Sequence, residues 1–437
     1  MRAATVARIA AAYNQAVNNI KCLGAWSGWV AIGLLALAAA CGRGDSPTGD
    51  PPLGSYRGVL SVAGGDLPFG LELAEEDGEI VAYLINGPER ARAPDVRLDG
   101  DLLEIKMPGY PHRLEARFVD ARFEGAVHFL RPRGVIKSVR VVAVPGQDWR
   151  FFPEPEAKPT DFSGRWAITF RDPDDGSEGA AIAELTQRGH EVWGTVLRPS
   201  GDDRYLAGEA RGDTLFLSRF DGGSAYLYLA RLGSDGTLAG DFHSQGGTHN
   251  TWTGRRDAKA KLEDPTRMTG LKPGTGRFQF AFPDVEGKLH SFPDERYAGK
   301  VVLITIGGSW CANCHDEAVF LRELLASRGS QGLEVVQLMF EYTPDFQSAS
   351  VAVRDFIDKF SIDYPVLIAG TTTDEDVLRK LPQLAAFKAY PTLIVIGRDG
   401  RVRQIHTGFS GPATGNHYEE QNRELTAFVE ALLNEPP

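Results

Sequence analysis

Residues 301–320 are the segment that most constrains the fold of this chain. An apolar run, Val301 to Ile306, is followed by two glycines, and Cys311 and Cys314 then open a stretch with helical periodicity. This order predicts a buried strand, a tight turn and a helix that begins at the first cysteine. The positive end of a helix stabilises an anion, so Cys311 is favoured as a thiolate. Cys314 lies one turn further on, where it can close a disulfide, and the segment therefore predicts a redox-active dithiol.

The number of cysteines supports this interpretation. The 437 residues contain four cysteines, of which Cys22 and Cys41 lie near the N-terminus, so the folded part carries only the pair. A disulfide-stapled secreted scaffold needs more cysteines, and a structural zinc site needs about four ligands. A net charge of -11 argues against a nucleic-acid partner. We therefore expect a working redox pair with no cofactor and no metal.

Residues 1–41 are predicted to be an export signal. Basic residues precede an apolar stretch that ends in small residues and then Cys41. The ending resembles a bacterial lipoprotein signal, in which Cys41 would be lipidated. An uncleaved membrane anchor is the alternative, because residues 22–40 are nearly long enough to span a bilayer. Either alternative predicts a membrane-anchored protein of the bacterial envelope or periplasm, with residues 42–55 as a flexible tether.

Residues 56–257 are predicted to form two β-rich units, at 56–150 and 161–257. Short alternating strands are separated by Gly, Asp and Pro, as is typical of antiparallel sandwiches and small barrels. Four short segments of the first unit recur in the second at offsets of 106 to 115 residues, which predicts a duplicated unit. The default expectation for this half is a substrate-docking or spacer role.

No chemical site is predicted in the β-rich half. Its histidines are scattered, and only His243 and His249 are close, six residues apart in a glycine-rich loop. That is a loose spacing for metal ligands, so the two are interpreted as solvated loop residues. Asp202, Asp203, Asp221 and Asp235 are interpreted as turn residues.

A linker at 258–276 leads to a C-terminal domain at 277–437. Its alternating strands and helices, followed by a hairpin and a helix, predict a mixed α/β sheet with helices on both faces. The predicted elements after the first strand are helix 311–327, strand 333–340, helix 350–360, strand 364–368, helix 374–387, strands 392–396 and 402–407, and helix 419–433.

Taken in order, the motifs of this domain resemble the thioredoxin superfamily, and within it the TlpA/ResA-like membrane-tethered thiol–disulfide oxidoreductases. The matching pieces are F-x-F-x-D-x-E-G-K before the first strand, W-C-A-N-C after it, and A-Y-P-T leading into an apolar strand and a D-G turn. The resemblance covers residues 278–437 and does not reach the β-rich half.

The resemblance implies roles for the dithiol and for a second motif far downstream. Cys311 would be the exposed nucleophile and Cys314 the buried resolving thiol. Pro391 would be the cis-proline that faces the cysteines, with backbone groups of Tyr390 and Thr392 receiving an extended substrate strand. An ordinary trans proline at the start of a strand is the alternative.

The same resemblance implies roles for two further residues. Trp310 would cover the site, and Glu317 would be the family's active-site acid, able to exchange a proton with the resolving thiol. The alternative for Glu317 is a solvated carboxylate favoured by the helix dipole. Asn313 replaces a proline that is common before the second cysteine. Thr305 occupies the strand position where cytoplasmic thioredoxins carry a buried acid.

Three functions are open at this point. The sequence C-A-N-C-H is also the attachment signal of a c-type haem, with His315 as axial ligand. A cell-envelope binding module with an accessory redox domain is another alternative. The favoured prediction is a protein-disulfide oxidoreductase that works in the reducing direction. It would act on exported protein disulfides or thiols and be recharged by a DsbD-like membrane electron donor. In that case His315 is expected on the helix surface, where it adds positive charge near the thiolate.

Overall fold

The computed structural model describes residues 50–154 and 158–436. The predicted export signal and Cys41 lie outside these ranges. Within them, none of the helices combines the length and the apolar character needed to cross a bilayer. The described strands form two nine-stranded antiparallel sheets, a two-stranded hairpin and a five-stranded mixed sheet.

The first β-rich unit is an open barrel. Neighbouring strands pair in chain order except between β4 and β5, and β9 returns to pair with β1, so β4 and β5 are the two free edges. Apolar side chains alternate along the strands and fill the concave face. The strands are β1 (Gly54–Val62), β2 (Gly65–Glu76), β3 (Glu79–Asn86), β4 (Glu89–Arg92), β5 (Asp95–Asp99), β6 (Leu102–Lys106), β7 (Arg113–Val119), β8 (Arg122–Arg131) and β9 (Val135–Pro145).

The second β-rich unit, called the barrel below, is closed. Eight strands pair in a ring, because β11 pairs with both β10 and β12 and β18 returns to β10, while the short β13 lies beside β12. The strands are β10 (Gly164–Arg171), β11 (Glu178–Arg188), β12 (Glu191–Arg198), β13 (Gly201–Asp202), β14 (Leu206–Arg211), β15 (Thr214–Phe220), β16 (Ala225–Leu232), β17 (Leu238–Ser244) and β18 (His249–Arg256). The predicted antiparallel, barrel-like architecture is present in both units.

The outer face of the barrel fills the open side of the first unit. On β15, Leu215 and Leu217 point into the barrel, whereas Phe216 and Phe220 belong to the core of the first unit. A strand buried on both faces has a near-continuous apolar sequence instead of a strict alternation. The two units therefore share one apolar core across β15.

The C-terminal domain is a mixed sheet with helices on both faces, as predicted. The strand order is β23-β22-β21-β24-β25, with β21, β22 and β23 parallel. Helices α1, α2 and α4 pack on one face, and α3 packs on the other with the β19–β20 hairpin. The elements are β19 (Phe280–Pro283), β20 (Leu289–Phe292), β21 (Val301–Gly307), α1 (Ala312–Arg328), β22 (Leu333–Glu341), α2 (Phe346–Phe360), β23 (Val366–Thr371), α3 (Asp374–Lys380), β24 (Thr392–Ile396), β25 (Val402–Thr407) and α4 (Asn416–Leu433).

Two helix boundaries differ from the prediction by four or more residues, while the closing helix begins three residues earlier than predicted and β23 lies two to three residues later. The helix predicted at 374–387 ends at Lys380, because Pro382 disfavours the helical conformation of Leu381. The helix predicted to begin at residue 350 begins at Phe346, where the side chain of Asp345 caps it by accepting a hydrogen bond from Ser348 N at 2.8 Å.

Candidate active site

A central strand and a tight turn position the cysteine pair. All seven residues of β21 are buried, and their side chains alternate between the two apolar cores of the C-terminal domain. The chain then passes Gly308, where a Cβ atom would lie 2.3 Å from Trp310 Nε1 and 2.8 Å from the Phe340 carbonyl oxygen. Only glycine fits this approach. Trp310 Nε1 donates a hydrogen bond to the same carbonyl at 2.8 Å, which holds the turn closed.

The two cysteines form a disulfide at the start of α1, with a Cα–Cα distance of 5.2 Å. Cys311 is the N-cap residue, and its Sγ accepts a hydrogen bond from Cys314 N at 3.2 Å. The exposed fraction is 6% for Cys311 and 0% for Cys314. Both residues are therefore buried, in contrast to the exposed nucleophile predicted at Cys311. Of the two, only Cys311 lines a cavity, and it does so at the end of a helix that stabilises an anion.

Cys311 opens into a cavity of about 410 Å³, called the cleft below. Trp310 and Tyr390 of the C-terminal domain line it on one side. The other side is built by the β-rich half, including Arg131 of the first unit and Arg198 of the barrel. The cysteine pair thus lies in a cleft that all three parts of the molecule share.

The second predicted motif lies beside the first. The peptide bond between Tyr390 and Pro391 is cis, as predicted. The ring of Tyr390 contacts Trp310 edge-on, with centroids 5.1 Å apart. Thr392 is fully buried, and its hydroxyl donates to the Ala389 carbonyl at 2.7 Å. Binding of a substrate strand by the backbone of Tyr390 and Thr392 stays a prediction.

Glu317 is buried, so its interpretation as a solvated carboxylate is wrong. Only 2% of the residue is exposed, and its carboxyl accepts a hydrogen bond from the Thr305 hydroxyl. Burial raises the pKa of Glu317 to about 8, an effect that the Thr305 hydrogen bond opposes. Glu317 and Cys314 lie three residues apart and therefore on one face of α1. Thr305 occupies the strand position at which cytoplasmic thioredoxins carry a buried acid. In this chain the buried acid comes from α1 instead, and the Thr305 hydroxyl donates to it.

We expect Glu317→Gln to remove a pH dependence of stability. A glutamate pKa of 4.5 in the unfolded chain and about 8 in the folded one means that the folded protein keeps an extra proton between these values. The stability contributed by the protonated carboxyl is therefore fully present below pH 4.5 and is lost as pH rises through 8. Urea unfolding at pH 5 and pH 9 measures the difference, which should shrink in Glu317→Gln.

The matched control is Glu323→Gln, because Glu323 lies on the same helix with 64% of its side chain exposed. That variant should keep the wild-type difference between the two pH values. A Glu317→Gln protein with an unchanged difference would contradict the assignment of a buried, neutral carboxyl.

The prediction for His315 is wrong, because the ring is buried and does not face solvent. Its Nε2–H donates to the Ser309 carbonyl at 2.7 Å, and its ring stacks on Tyr110 of the first unit with centroids 4.4 Å apart. Burial, with a contribution from Lys359, lowers the pKa of His315 well below its usual value. His315 is therefore neutral at pH 7 and adds no positive charge near Cys311.

The end of β13 docks on the first turn of α1. Asp202 accepts hydrogen bonds from Asn313 Nδ2 at 3.1 Å and from Gly411 N at 2.6 Å. Asn313 Nδ2 also lies 3.1 Å from the Phe409 carbonyl oxygen. The asparagine that replaces the common proline therefore serves as a docking contact for the barrel.

Arg204 joins all three parts of the molecule. Its guanidinium donates to Asp316 of α1 at 2.9 and 3.0 Å, to Glu89 of the first unit at 2.9 Å, and lies 3.5 Å from Asp221. Burial raises the pKa of Asp316 to about 7, while Arg204 acts in the opposite direction. The sequence contained no signal for this cluster, because its members are spread over more than 200 positions.

Three of the four acids interpreted as turn residues are buried. Asp202 and Asp221 do hold turns, because their carboxylates accept hydrogen bonds from Arg204 N and Gly223 N. Asp203 pairs with Arg198 at 2.9 Å, Asp221 pairs with Arg219, and Asp202 holds the α1 contact. Their exposed fractions are 6% or less, so each is a partner of a buried group.

Comparison with known proteins agrees with this geometry. A Redoxin family model matches residues 274–421. The thiol-disulfide oxidoreductase ResA of Geobacillus thermodenitrificans is 27% identical over 143 residues, which are 33% of this chain and 74% of the relative. ResA of Bacillus thuringiensis subsp. konkukian is 26% identical over 161 residues, 37% of this chain and 83% of the relative. The C-terminal domain is a ResA/TlpA-like domain of the thioredoxin superfamily.

Solved structures include similar chains. A thiol:disulfide interchange protein of the thioredoxin family from Chlorobium tepidum TLS is 18% identical, with 38% of this chain and 100% of the other covered at a TM-score of 0.28. The Redoxin match leaves out the β-rich half. The thioredoxin-like domain of this chain thus carries the dithiol, while the other half contributes walls of the cleft.

Proposed function

We propose that this protein is an exported thiol–disulfide oxidoreductase that reduces disulfides of other envelope proteins. The observation that carries the proposal is the asymmetry of the pair, with Cys311 open to the cleft at the start of α1 and Cys314 sealed behind it. A pair used only as a structural staple has no need of one accessible sulfur. The ResA relatives add support, since they carry the name thiol-disulfide oxidoreductase.

The reaction needs two exchanges. In the reduced enzyme, the Cys311 thiolate attacks one sulfur of the substrate disulfide, and the other sulfur leaves as a thiolate that takes up a proton. Cys314 then attacks the Cys311 sulfur as a thiolate, and its proton passes to the fraction of Glu317 that is ionised at the working pH. The second substrate sulfur leaves as a thiolate and takes up a proton. Two electrons pass from the dithiol to the substrate, and the enzyme is left with the disulfide seen in the structure.

We further propose that the β-rich half selects the substrate. The cleft contains Arg131, Arg198 and Arg219. Arg198 and Arg219 are ion-paired, whereas within residues 50–154 and 158–436 no carboxylate lies within ion-pair distance of Arg131. Arg131 therefore gives the cleft a positive charge that no acid of the described residues neutralises. We expect it to bind a substrate that carries a carboxylate next to its disulfide, because arginine pairs well with carboxylates.

The two β-rich units are proposed to descend from one duplicated unit. Both have nine strands, and in each the last strand returns to pair with the first. The chain order is interrupted at the corresponding place, after the fourth strand, where β4 does not pair with β5 and β13 does not pair with β14. The recurring segments fall at corresponding strands, as in β1 and β10 or β8 and β17. In this proposal the second copy closed into a barrel. The first copy remained an open sheet, and the outer face of the barrel now completes its core.

The location and the partners are proposals that rest on the sequence. The signal at 1–41 supports export and lipidation at Cys41, so that the dithiol works in the envelope of a bacterium. There its electrons have to cross the membrane, which calls for a DsbD-like donor that reduces the Cys311–Cys314 disulfide.

The haem alternative does not fit the geometry. The His315 ring is enclosed by Tyr110, Phe356 and Phe360, and its Nε2 is bonded to the Ser309 carbonyl. An axial ligand needs a free ring nitrogen that faces an open site. The binding-module alternative predicts a protein that does not exchange disulfides, which a turnover assay can test.

A redox titration combined with a turnover assay tests the proposed function. We expect the Cys311–Cys314 couple to equilibrate in glutathione or dithiothreitol buffers with a potential below about -200 mV, in the range of reductants. Catalytic reduction of a disulfide-bonded test protein should follow. A potential near about -120 mV would overturn the reducing direction. Failure of the wild type to exchange any disulfide would support the binding module instead.

A further inference from the structure

The β17–β18 hairpin brings three potential metal ligands together. His243 and His249 are directly opposite each other in the strand register, and Asp241 lies two residues before His243, so all three share one face. The two imidazole rings are parallel, with centroids 4.6 Å apart. Asp241 Oδ1 lies 2.7 Å from His249 Nε2. One donor atom from each residue falls within 4.8 Å of the others.

This face is separate from the cleft. The neighbouring residues Phe242 and Ser244 line the cleft, and successive side chains of a strand point to opposite sides. His243 instead packs against the β1–β2 turn of the first unit, where a Cβ atom at Gly64 would lie 2.1 Å from its Cδ2. Glycine at this position is what admits the ring.

One ring nitrogen of this cluster lacks a partner. Within the described ranges, His243 Nδ1 is buried and makes no hydrogen bond. Buried polar atoms are almost always satisfied, so an orphaned nitrogen indicates a partner of another kind. The side chain of His249 is 41% exposed, which leaves the cluster accessible from solvent.

We propose that Asp241, His243 and His249 bind a divalent transition-metal ion such as Zn²⁺. Two imidazoles and one carboxylate are a donor set that such ions favour, and a water molecule can take the fourth position. Donor atoms around tetrahedral zinc lie about 3.4 Å apart, given bonds of about 2.0–2.1 Å. Asp241 Oδ1 and His249 Nε2, now 2.7 Å apart, would therefore separate by about 0.7 Å as the ion enters between them, and rotation of the partly exposed His249 allows this.

Binding would also connect the two β-rich units. The ligands belong to the barrel, and the turn that encloses His243 belongs to the first unit. An ion held at this seam would restrain the β17–β18 hairpin, whose residues also form part of the cleft wall. The site is independent of the proposed disulfide exchange, since no ligand faces Cys311.

Zinc binding is best measured on the full chain without a histidine tag and in its oxidised form, because a reduced dithiol also binds zinc. We expect about one Zn²⁺ per chain after dialysis, by elemental analysis, and an affinity measurable against a chromogenic chelator. His249→Ala should weaken that affinity at least tenfold. His128→Ala, a histidine on β8 that pairs with Ser138, should leave it unchanged.

Co²⁺ provides a second readout that a folding defect does not imitate. In the wild type, Co²⁺ should give the visible absorption bands of a four- or five-coordinate site, and Asp241→Asn and His249→Ala should reduce them while keeping the melting temperature of the metal-free wild type. If the wild type retains no zinc, or if His249→Ala binds zinc and cobalt as the wild type does, the proposed site is wrong.

Discussion

Cys314→Ser is expected to abolish turnover and to leave Cys311 joined to its substrate. Without the resolving thiol, the mixed disulfide has no internal nucleophile to break it, so multiple turnover should fall on the order of 10³-fold or more. Complexes that disappear with dithiothreitol on non-reducing gels are the measurement. Because Cys314 is fully buried, its replacement should not change how Cys311 meets the substrate.

Cys311→Ser is the control for this experiment. It should give neither turnover nor trapped complexes, since the remaining thiol of Cys314 is sealed behind the turn. Trapping by Cys311→Ser in place of Cys314→Ser would reverse the assignment of the two cysteines. Mass spectrometry of the complexes would also identify the residues flanking the attacked disulfide and so test the expected preference for acidic neighbours.

The core of the C-terminal domain could be predicted because its signals are local. An apolar strand, a glycine turn and a helix start occur within residues 301–320, and each is decided by neighbours in the sequence. The cis bond at Pro391 was predicted in another way, because it is what the resemblance to the thioredoxin superfamily implies. The helix predicted at 374–387 failed on a local signal as well, because the effect of Pro382 outweighed the apolar periodicity.

The error at His315 and the burial of the acids, which was not predicted, have a different physical origin. His315 lies near the start of a helix, where most side chains face solvent, but Tyr110 of another unit covers it. Asp202 and Asp221 occur in Gly- and Asp-rich segments, and such sequences look the same whether the carboxylate faces water or a buried arginine. Whether these side chains are buried depends on how the β-rich half packs on the thioredoxin-like domain. The sequence patterns of the two halves contain no information about that packing.

The docked arrangement itself depends on Arg204. We expect Arg204→Ala to lower the free energy of unfolding by about 3–5 kcal/mol, because Glu89 and Asp316 would stay buried without their cation. Asp221 would keep its ion pair with Arg219. Loss of the contact to α1 should also loosen the cleft and increase the rate at which reduced Cys311 reacts with iodoacetamide. Urea unfolding and alkylation kinetics measure the two effects.

Arg188→Ala is the matched control for Arg204→Ala. Arg188 also pairs with an acid of the barrel, Glu191, but 82% of its side chain is exposed, so its removal should cost about 0–1 kcal/mol. Adding Asp316→Asn to Arg204→Ala should recover part of the stability, since it removes one uncompensated buried charge. Equal unfolding midpoints for Arg204→Ala and Arg188→Ala would show that the cluster does not hold the β-rich half over the cysteine pair. The accessibility of Cys311 would then have to be set by the thioredoxin-like domain alone.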